Sequence, residues 1–186
     1  MKRLAILFAV LLFFSGCRSS DTAIDPAIKL RNQLLEGSGC SFTAEISADY
    51  GDEIYEFTLD CVFDQQGNMN FTVVKPENIE SITGKIESSG GSLTFDGSML
   101  AFPVLADDLI TPVSSPWFIV NTLRSGYLVA CGKAQGGYQI KLDDSFTDHM
   151  IRVDVWTDSQ LNPLSGEIQW DGRRILTIKI IGYKFL

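Results

Sequence analysis

Apolar and polar residues alternate with a period of two between residues 40 and 73, and no other feature constrains the fold as strongly. Successive side chains of a β-strand point to opposite faces, so this period is typical of strands. The pattern predicts three antiparallel strands that share one apolar face. The apolar positions are Cys40, Phe42, Ala44 and Ile46 in the first, Tyr55, Phe57, Leu59, Cys61 and Phe63 in the second, and Met69, Phe71 and Val73 in the third.

Glycine-containing turns set the predicted pairing of these strands. A first turn centred on Tyr50 and Gly51 places residue 40 opposite 61, 42 opposite 59 and 44 opposite 57. Every apolar residue then meets another apolar residue, which is how register is specified. The next turn, at residues 65–67, suits a hairpin loop with Gly67 in the left-handed conformation.

Two short helices and further strands complete the prediction. One helix begins near Pro26 and ends at Gly37, and another begins near Pro116 and ends at Gly126. With about nine to eleven strands, the expected fold class is mostly β (α+β). The first helix is expected to cover the sheet with Ile24, Ala27, Ile28, Leu34 and Leu35. The further strands are residues 81–87, 92–95, 127–131, 138–142, 150–157, 164–170 and 174–183, with a long loop at 103–116.

The first seventeen residues predict an exported lipoprotein. Two basic residues precede eleven apolar ones, Leu4 to Phe14, and Ser15-Gly16 precede Cys17. Eleven residues span only about 16 Å as a helix, too short for a hydrocarbon core of about 30 Å, which favours a cleaved signal peptide. Ser-Gly-Cys resembles the lipobox of bacterial lipoproteins, which implies acylation of Cys17; a plain signal peptide is the alternative. We expect a signal peptide at 1–16, a lipidated tether at 17–24 and one domain at 25–186.

The charge of the chain limits its partners. The net charge of -8 and the single histidine argue against nucleic acid and against a histidine-rich metal site. Residues 1–16 hold two of the 15 basic and none of the 23 acidic residues, so the mature chain has 13 against 23, a net charge of -10. An anionic membrane repels such a surface. Attachment to the cell membrane, on its extracytoplasmic side, must then depend on acyl chains.

Cys40 and Cys61 lie directly opposite each other in the predicted register, which makes a disulfide between them a hypothesis. Such a bond persists outside the cytoplasm and closes a loop of about twenty residues, for a stabilisation of about 3 kcal/mol. Two buried free thiols are the alternative, because cysteine is common in cores. We expect Cys131, which is left over, to be a buried thiol rather than a nucleophile.

Several segments resemble the LolA/LolB/LppX group of bacterial lipoprotein-handling and lipid-binding proteins, and within it the GerS-type lipoproteins of spore formers. They are residues 71–77 (FTVVKPE), 93–100 (LTFDGSML), 153–158 (VDVWTD), 162–164 (NPL) and 167–173 (EIQWDGR). The resemblance implies a curved, half-open antiparallel sheet with helices over its concave apolar face. Some members of the group hold acyl chains there and others bind protein partners. No catalytic residue is shared by the group.

The apolar face has two interpretations, an ordinary core or the lining of a hydrophobic site. A core is the default, because every β domain buries such a face. A cavity is favoured if two short helices must cover a wide sheet, with the loop at 103–116 as a movable cover. The candidate ligand-binding residues are Phe42, Phe57, Leu59, Phe71 and Val73, with Trp117 and Phe118 as an inner plug.

Catalysis has little support in the sequence. Asp143, Asp144, Asp148 and His149 form the one cluster that suggests chemistry, and a solvated loop explains it as well. No nucleophile, phosphate-loop or metal-ligand motif occurs, so we predict no enzyme, no cofactor and no metal. The predicted function is that of an anchored lipoprotein that binds an acyl chain or another hydrophobic ligand. The alternative is a protein-interaction lipoprotein that positions or stabilises an envelope or spore-germination enzyme.

Overall fold

A computed structural model describes residues 24–87, 94–95, 106, 110–146 and 150–186, which form two α-helices and ten strands. The helices are α1 (Asp25–Glu36) and α2 (Ser115–Ser125), and short 3-10 turns lie at Glu77–Ile79 and Pro112–Ser114. The strands are β1 (Gly39–Asp49), β2 (Ile54–Asp64), β3 (Met69–Lys75), β4 (Thr83–Ile86), β5 (Thr94–Phe95), β6 (Tyr127–Ala134), β7 (Gly137–Asp143), β8 (Ile151–Thr157), β9 (Pro163–Trp170) and β10 (Arg173–Phe185).

All ten described strands belong to one antiparallel sheet, in the order β5-β4-β3-β2-β1-β10-β9-β8-β7-β6. In the part of the chain that the structure describes, the order ends at β5 and at β6, so the sheet does not close on itself. Buried apolar residues alternate with exposed or half-buried ones along β1, β2 and β3. The expected fold class, a curved half-open sheet with short helices on its apolar face, is confirmed.

The hairpin of β1 and β2 has the predicted shared face, but its register is displaced by two residues. Phe42 lies opposite Cys61, and Cys40 lies opposite Phe63. The backbone N–H of Tyr50 donates to the carbonyl of Glu53 at 3.0 Å, which centres the turn one residue later than predicted. Because side chains alternate with a period of two, a displacement of two leaves every side chain on its face. The predicted register was therefore wrong although the predicted face was right.

The disulfide that we predicted between Cys40 and Cys61 is not formed. Both residues are free thiols, each 1% exposed, and the displaced register places each of them opposite a phenylalanine. Burial raises the pKa of the Cys40 thiol to about 11 and also raises the pKa of the Cys61 thiol. Cys131 is a buried free thiol, as predicted. The three thiols are therefore protonated at neutral pH.

Helix α1 ends at the predicted glycine, and it buries two of the five residues that we expected to face the sheet. The residues that it buries are Ala27, Leu30 and Leu34. Three residues that we expected to face the sheet are instead exposed: Ile24 by 43%, Ile28 by 47% and Leu35 by 45%. The helix carries apolar residues on two sides, and a helical period alone does not tell which side packs inward.

Helix α2 packs on the half of the sheet that β7, β8, β9 and β10 form. It buries Ile119, Val120 and Leu123 against these strands. At Gly166 on β9, the Cβ atom of an alanine would stand 2.4 Å from Cδ1 of Ile119. A side chain at this position would therefore displace the end of the Ile119 side chain from its packed position.

We expect Gly166→Ala to lower the free energy of unfolding by about 1–3 kcal/mol, because Ile119 must leave its packed position. Gly132→Ala is the matched control, since a Cβ atom there meets nothing within 4 Å. Its effect should stay within about 0.5 kcal/mol, as for other surface substitutions. Urea unfolding of the two variants measures the difference, and equal effects would show that α2 does not depend on Gly166.

The thiols give a second prediction. In the folded mature protein at pH 8, a thiol reagent should react with none of Cys40, Cys61 and Cys131, because all three are buried and burial raises each thiol pKa. In denaturant without reductant, all three should react. Titration of one thiol per denatured chain would instead indicate a bond between Cys40 and Cys61.

Candidate functional site

The five residues predicted to line a hydrophobic site lie together on the inner face of β1, β2 and β3. Leu59 lies opposite Val73 in the ladder of β2 and β3. No member of the set is more than 8% exposed. The sequence placed all of them correctly on one face, because face depends only on the period of two. We call this set the lining: Phe42, Phe57, Leu59, Phe71 and Val73.

The chain that leads into α2 covers the part of the sheet that carries the lining. The 3-10 turn Pro112–Ser114 packs on β1 and β2, whereas α2 packs on β7–β10 and α1 packs on α2 and β6. Ile110 is 1% exposed and Val113 is fully buried. The two helices therefore lie mainly over one half of the sheet, and residues 110–114, here called the cover segment, lie over the other.

Hydrogen bonds inside the cover segment hold its shape. The backbone N–H of Thr111 donates to Oγ of Ser114 at 2.9 Å, and the backbone N–H of Ser114 donates to Oγ1 of Thr111 at 3.2 Å. This reciprocal pair is a capping box. The Ser115 hydroxyl donates to the carbonyl of Pro112 at 2.6 Å. Two of these bonds lie within the segment, and the third joins it to Ser115, the first residue of α2.

Trp117 and Phe118, the predicted plug, are half-buried and pack against the core. The indole Nε1–H of Trp117 donates to the carbonyl of Gly67 at 3.0 Å. Gly67 lies in the turn between β2 and β3 with φ of 87°, the left-handed conformation that the sequence predicted. Trp117 therefore ties the first turn of α2 to the end of the strands that carry the lining.

Two arginines join the helices to each other and to the sheet. Nε of Arg31 donates to the carbonyl of Leu123 at 2.8 Å, and its Nη2 donates to the carbonyl of Gly126 at 2.6 Å. Arg124 donates to the carbonyl of Leu34 and, at 2.9 Å, to that of Gln65. Carbonyls at helix ends lack partners within the helix, so a guanidinium satisfies them. Sequence reasoning missed both residues, because backbone acceptors leave no trace in a residue pattern.

A groove of about 790 Å³ lies on the outer face of β1, β2 and β10. Lys179 donates to Glu45 there at 2.9 Å, so two of the charges in the groove compensate each other. The groove shares Phe57 with the lining, and its wall also carries several charged residues. It is lined by Glu45, Ile46, Ser47, Glu56, Phe57, Thr58, Lys75, Pro76, Glu77, Thr177 and Lys179.

The carboxylates that suggested chemistry have structural partners where the structure describes them. Asp143 accepts from Nε of Arg152 at 3.0 Å, and Asp144 accepts from the first backbone N–H of β8 at 2.6 Å. Asp148 and His149 lie outside the described residues. Within the described ranges, no group of three or more acidic, cysteine or histidine residues is placed to hold a metal ion.

Asp154, which the sequence did not single out, is buried on the outer face of β8. It is 4% exposed and pairs in register with Lys141 and Glu167 on the flanking strands. One carboxylate oxygen accepts from Nε2 of Gln169 at 3.3 Å. Burial raises the pKa of Asp154, an effect that Lys141 opposes. The residue lies on the face opposite the lining and takes no part in that site.

No model of a known protein family matches the chain, and no curated protein matches it. The chain is similar in structure to an uncharacterized conserved protein from Thermus thermophilus, with 12% identity, a TM-score of 0.46 and coverage of 87% of this chain and 86% of that one. It is also similar to a LolA superfamily protein from Nitrosomonas europaea, with 8% identity, a TM-score of 0.46 and coverage of 88% and 93%.

A third similar structure is that of MucB, with 15% identity and a TM-score of 0.47. The match covers 91% of this chain and 60% of MucB. Likenesses of this size concern overall shape alone. The architecture that the sequence implied, an open antiparallel sheet with helices on one face, is confirmed by the strand order and the helix contacts. The narrower resemblance to GerS-type lipoproteins stays a prediction.

Proposed function

We propose that this protein is a lipid-anchored lipoprotein on the extracytoplasmic side of the cell membrane, and that it holds an acyl chain or another hydrophobic ligand. The ligand lies between the lining and the cover segment. The proposed activity is binding, without catalysis. The observation that carries the proposal is the unequal covering of the sheet: the helices lie mainly over β6–β10, and residues 110–114 lie over β1 and β2.

This unequal covering lets one part of the apolar face open without the other. The packing of α2 on β9 and the arginine hydrogen bonds between the helices involve no residue of the cover segment. Its own capping box moves with it. The surface exposed by such a movement is apolar, and burial of a ligand there contributes about 25 cal/mol per Å².

The chemistry of the lining suits a ligand without charge in its buried part. The lining itself has no polar side-chain atom, and the thiols of Cys40 and Cys61 on the same face have raised pKa values because they are buried. A protonated thiol is a weak nucleophile. This part of the molecule therefore favours shelter of an apolar chain over a covalent reaction.

Anchoring rests on Cys17 and its lipobox. None of the described helices is long and apolar enough to cross a membrane. The mature chain has a net charge of -10 (13 basic against 23 acidic residues), so electrostatic attraction to an anionic surface does not contribute to its attachment. Acyl chains on Cys17 provide the attachment in this proposal, at about 0.8 kcal/mol for each buried methylene.

Native mass spectrometry tests the ligand. The domain from residue 21 to 186, secreted and purified without detergent, should carry extra mass that denaturation releases and that proves to be lipid. Its lining residues are at most 8% exposed, so a ligand among them should survive purification. A bare mass, together with no uptake of added fatty acids, would contradict the proposal.

Trp117→Phe tests the position of the ligand. It removes the hydrogen bond to Gly67, at a cost of about 0.5–1.5 kcal/mol, and should speed the release of a bound fluorescent fatty acid. Trp156→Phe is the matched control, because Trp156 lies half-buried on the outer face of β8. Equal release rates for both variants, measured by stopped-flow fluorescence, would place the ligand elsewhere.

Labelling tests the anchor. Cells grown with radioactive palmitate should label the parent protein and the Cys131→Ala variant, whereas Cys17→Ala should lose the label. The mature parent should also remain with membranes during flotation. Label retained by Cys17→Ala would contradict lipidation at this residue, and equal loss in Cys131→Ala would point to a general defect in export.

A second candidate function is supported by the free edge of the sheet at β6. This eight-residue strand pairs only with β7 among the described strands, and Val129, at a break in the register between Leu128 and Ala130, is 49% exposed. Unpaired strand edges accept strands from other proteins. The second candidate is therefore a lipoprotein that positions or stabilises an envelope or spore-germination enzyme. A bare domain in the mass measurement would favour it.

A further inference from the structure

Three large apolar side chains lie on the outward side of α1, where the packing of the domain does not need them. Ile24, Ile28 and Leu35 are 43%, 47% and 45% exposed, while Ala27, Leu30 and Leu34 face inward. Spacings of four and seven residues bring the three exposed side chains onto one line along the helix. The helix is therefore apolar on two sides, and one of them has no partner among the described residues.

Two exposed aromatic residues lie close to this line. Arg31 lies between Ile28 and Leu35 in the sequence of the helix. Its Nη2 donates to the carbonyl of Gly126 at 2.6 Å, which places α1 beside the start of β6. Tyr127, the next residue, is 43% exposed, and its ring centroid lies 3.6 Å from that of Phe146, which is 82% exposed. The apolar surface thus extends from α1 to the start of β6. We call Ile24, Ile28, Leu35, Tyr127 and Phe146 the apolar patch.

The charge of α1 differs from that of the whole protein. The helix has two acidic residues, Asp25 and Glu36, and two basic ones, Lys29 and Arg31, so it is neutral. The mature chain around it has 13 basic and 23 acidic residues. Negative lipid headgroups repel acidic surfaces, and a neutral apolar surface is free of that repulsion. The part of the patch on α1 is therefore suited to contact lipid.

The tether sets how far this patch can lie from the membrane. Ile24 is the seventh residue after Cys17, and a fully extended chain over these seven steps reaches at most about 24 Å. We propose that the apolar patch lies on the surface of the lipid bilayer, with α1 parallel to the membrane plane. This rests on the proposed lipidation of Cys17. Helices in this position bury an apolar side at the headgroups, and aromatic residues favour the same depth.

Contact with the bilayer would fix the orientation of the domain. Helix α1 is joined through Arg31 and Arg124 to α2, and Trp117 of α2 reaches the turn at Gly67. A membrane-bound α1 therefore holds the cover segment at a set distance from the lipid surface. An acyl chain that leaves the bilayer would then meet the domain in one orientation.

The test uses the lipidated protein in phosphatidylcholine vesicles, with an environment-sensitive fluorophore on Ile28→Cys or on Val62→Cys. Val62 is the matched control, because it is 46% exposed on the outer face of β2. The native thiols are buried and should stay unlabelled, and the parent protein carried through the labelling measures any background. At residue 28 the emission should shift to the blue and be quenched by doxyl-labelled lipid; at residue 62 neither should occur.

The outcomes separate this proposal from the anchoring on which it rests. Protein that fails to float with the vesicles would overturn the anchoring and this proposal together. Protein that floats but shows no more quenching at residue 28 than at residue 62 would overturn the patch alone. A blue shift at residue 28 without doxyl quenching would also overturn the proposal, because the fluorophore would then lie against protein rather than lipid. Adding Leu35→Glu to the labelled Ile28→Cys protein should abolish the quenching and leave flotation unchanged.

Discussion

The size of the open sheet relative to its helices governs the rest of this structure. Ten strands spaced about 4.8 Å apart extend over about 43 Å. Helices of 12 and 11 residues are only about 18 and 16 Å long and about 10 Å wide, so together they cover less than half of such a sheet. The apolar face must nevertheless be removed from water. Among the described residues, the cover segment shields the part of this face that the helices leave open. The proposed ligand site lies beneath it.

Much of the fold could be predicted from the sequence, because face and turn chemistry are local properties. A period of two fixed the shared face of β1, β2 and β3 whatever their register, and Gly67 marked its turn by its need for a positive φ. The register of the first hairpin was missed, because any shift by two residues satisfies the same pattern. The hydrogen bond between Tyr50 and Glu53 marks the turn that belongs to the observed register, and the predicted disulfide failed with the register.

The candidate site was predictable in its lining and unpredictable in its cover. Leu59 and Phe71 could be predicted from the alternation of apolar and polar residues. The hydrogen bond from Trp117 to a backbone carbonyl could not, because no sequence pattern indicates it. Helix α1 shows the same limit. Its apolar residues surround much of the helix, so the choice of Leu30 over Ile28 as a buried residue depends on where α2 and β6 lie. The helical period identifies both apolar faces, and tertiary packing determines which of them is buried.

The position of β10 has a consequence for how the chain becomes a folded protein. Strands β1–β5 form one run of adjacent hairpins and β6–β10 form another, and the ladder between β1 and β10 joins the two runs, pairing Cys40 with Phe185. A chain exported from its amino terminus therefore completes the centre of its sheet last. Until then β1 is an open edge bearing an apolar face, the kind of surface on which exported chains aggregate. In the proposed export, a delay before the final strand would lengthen the time for which this edge is exposed.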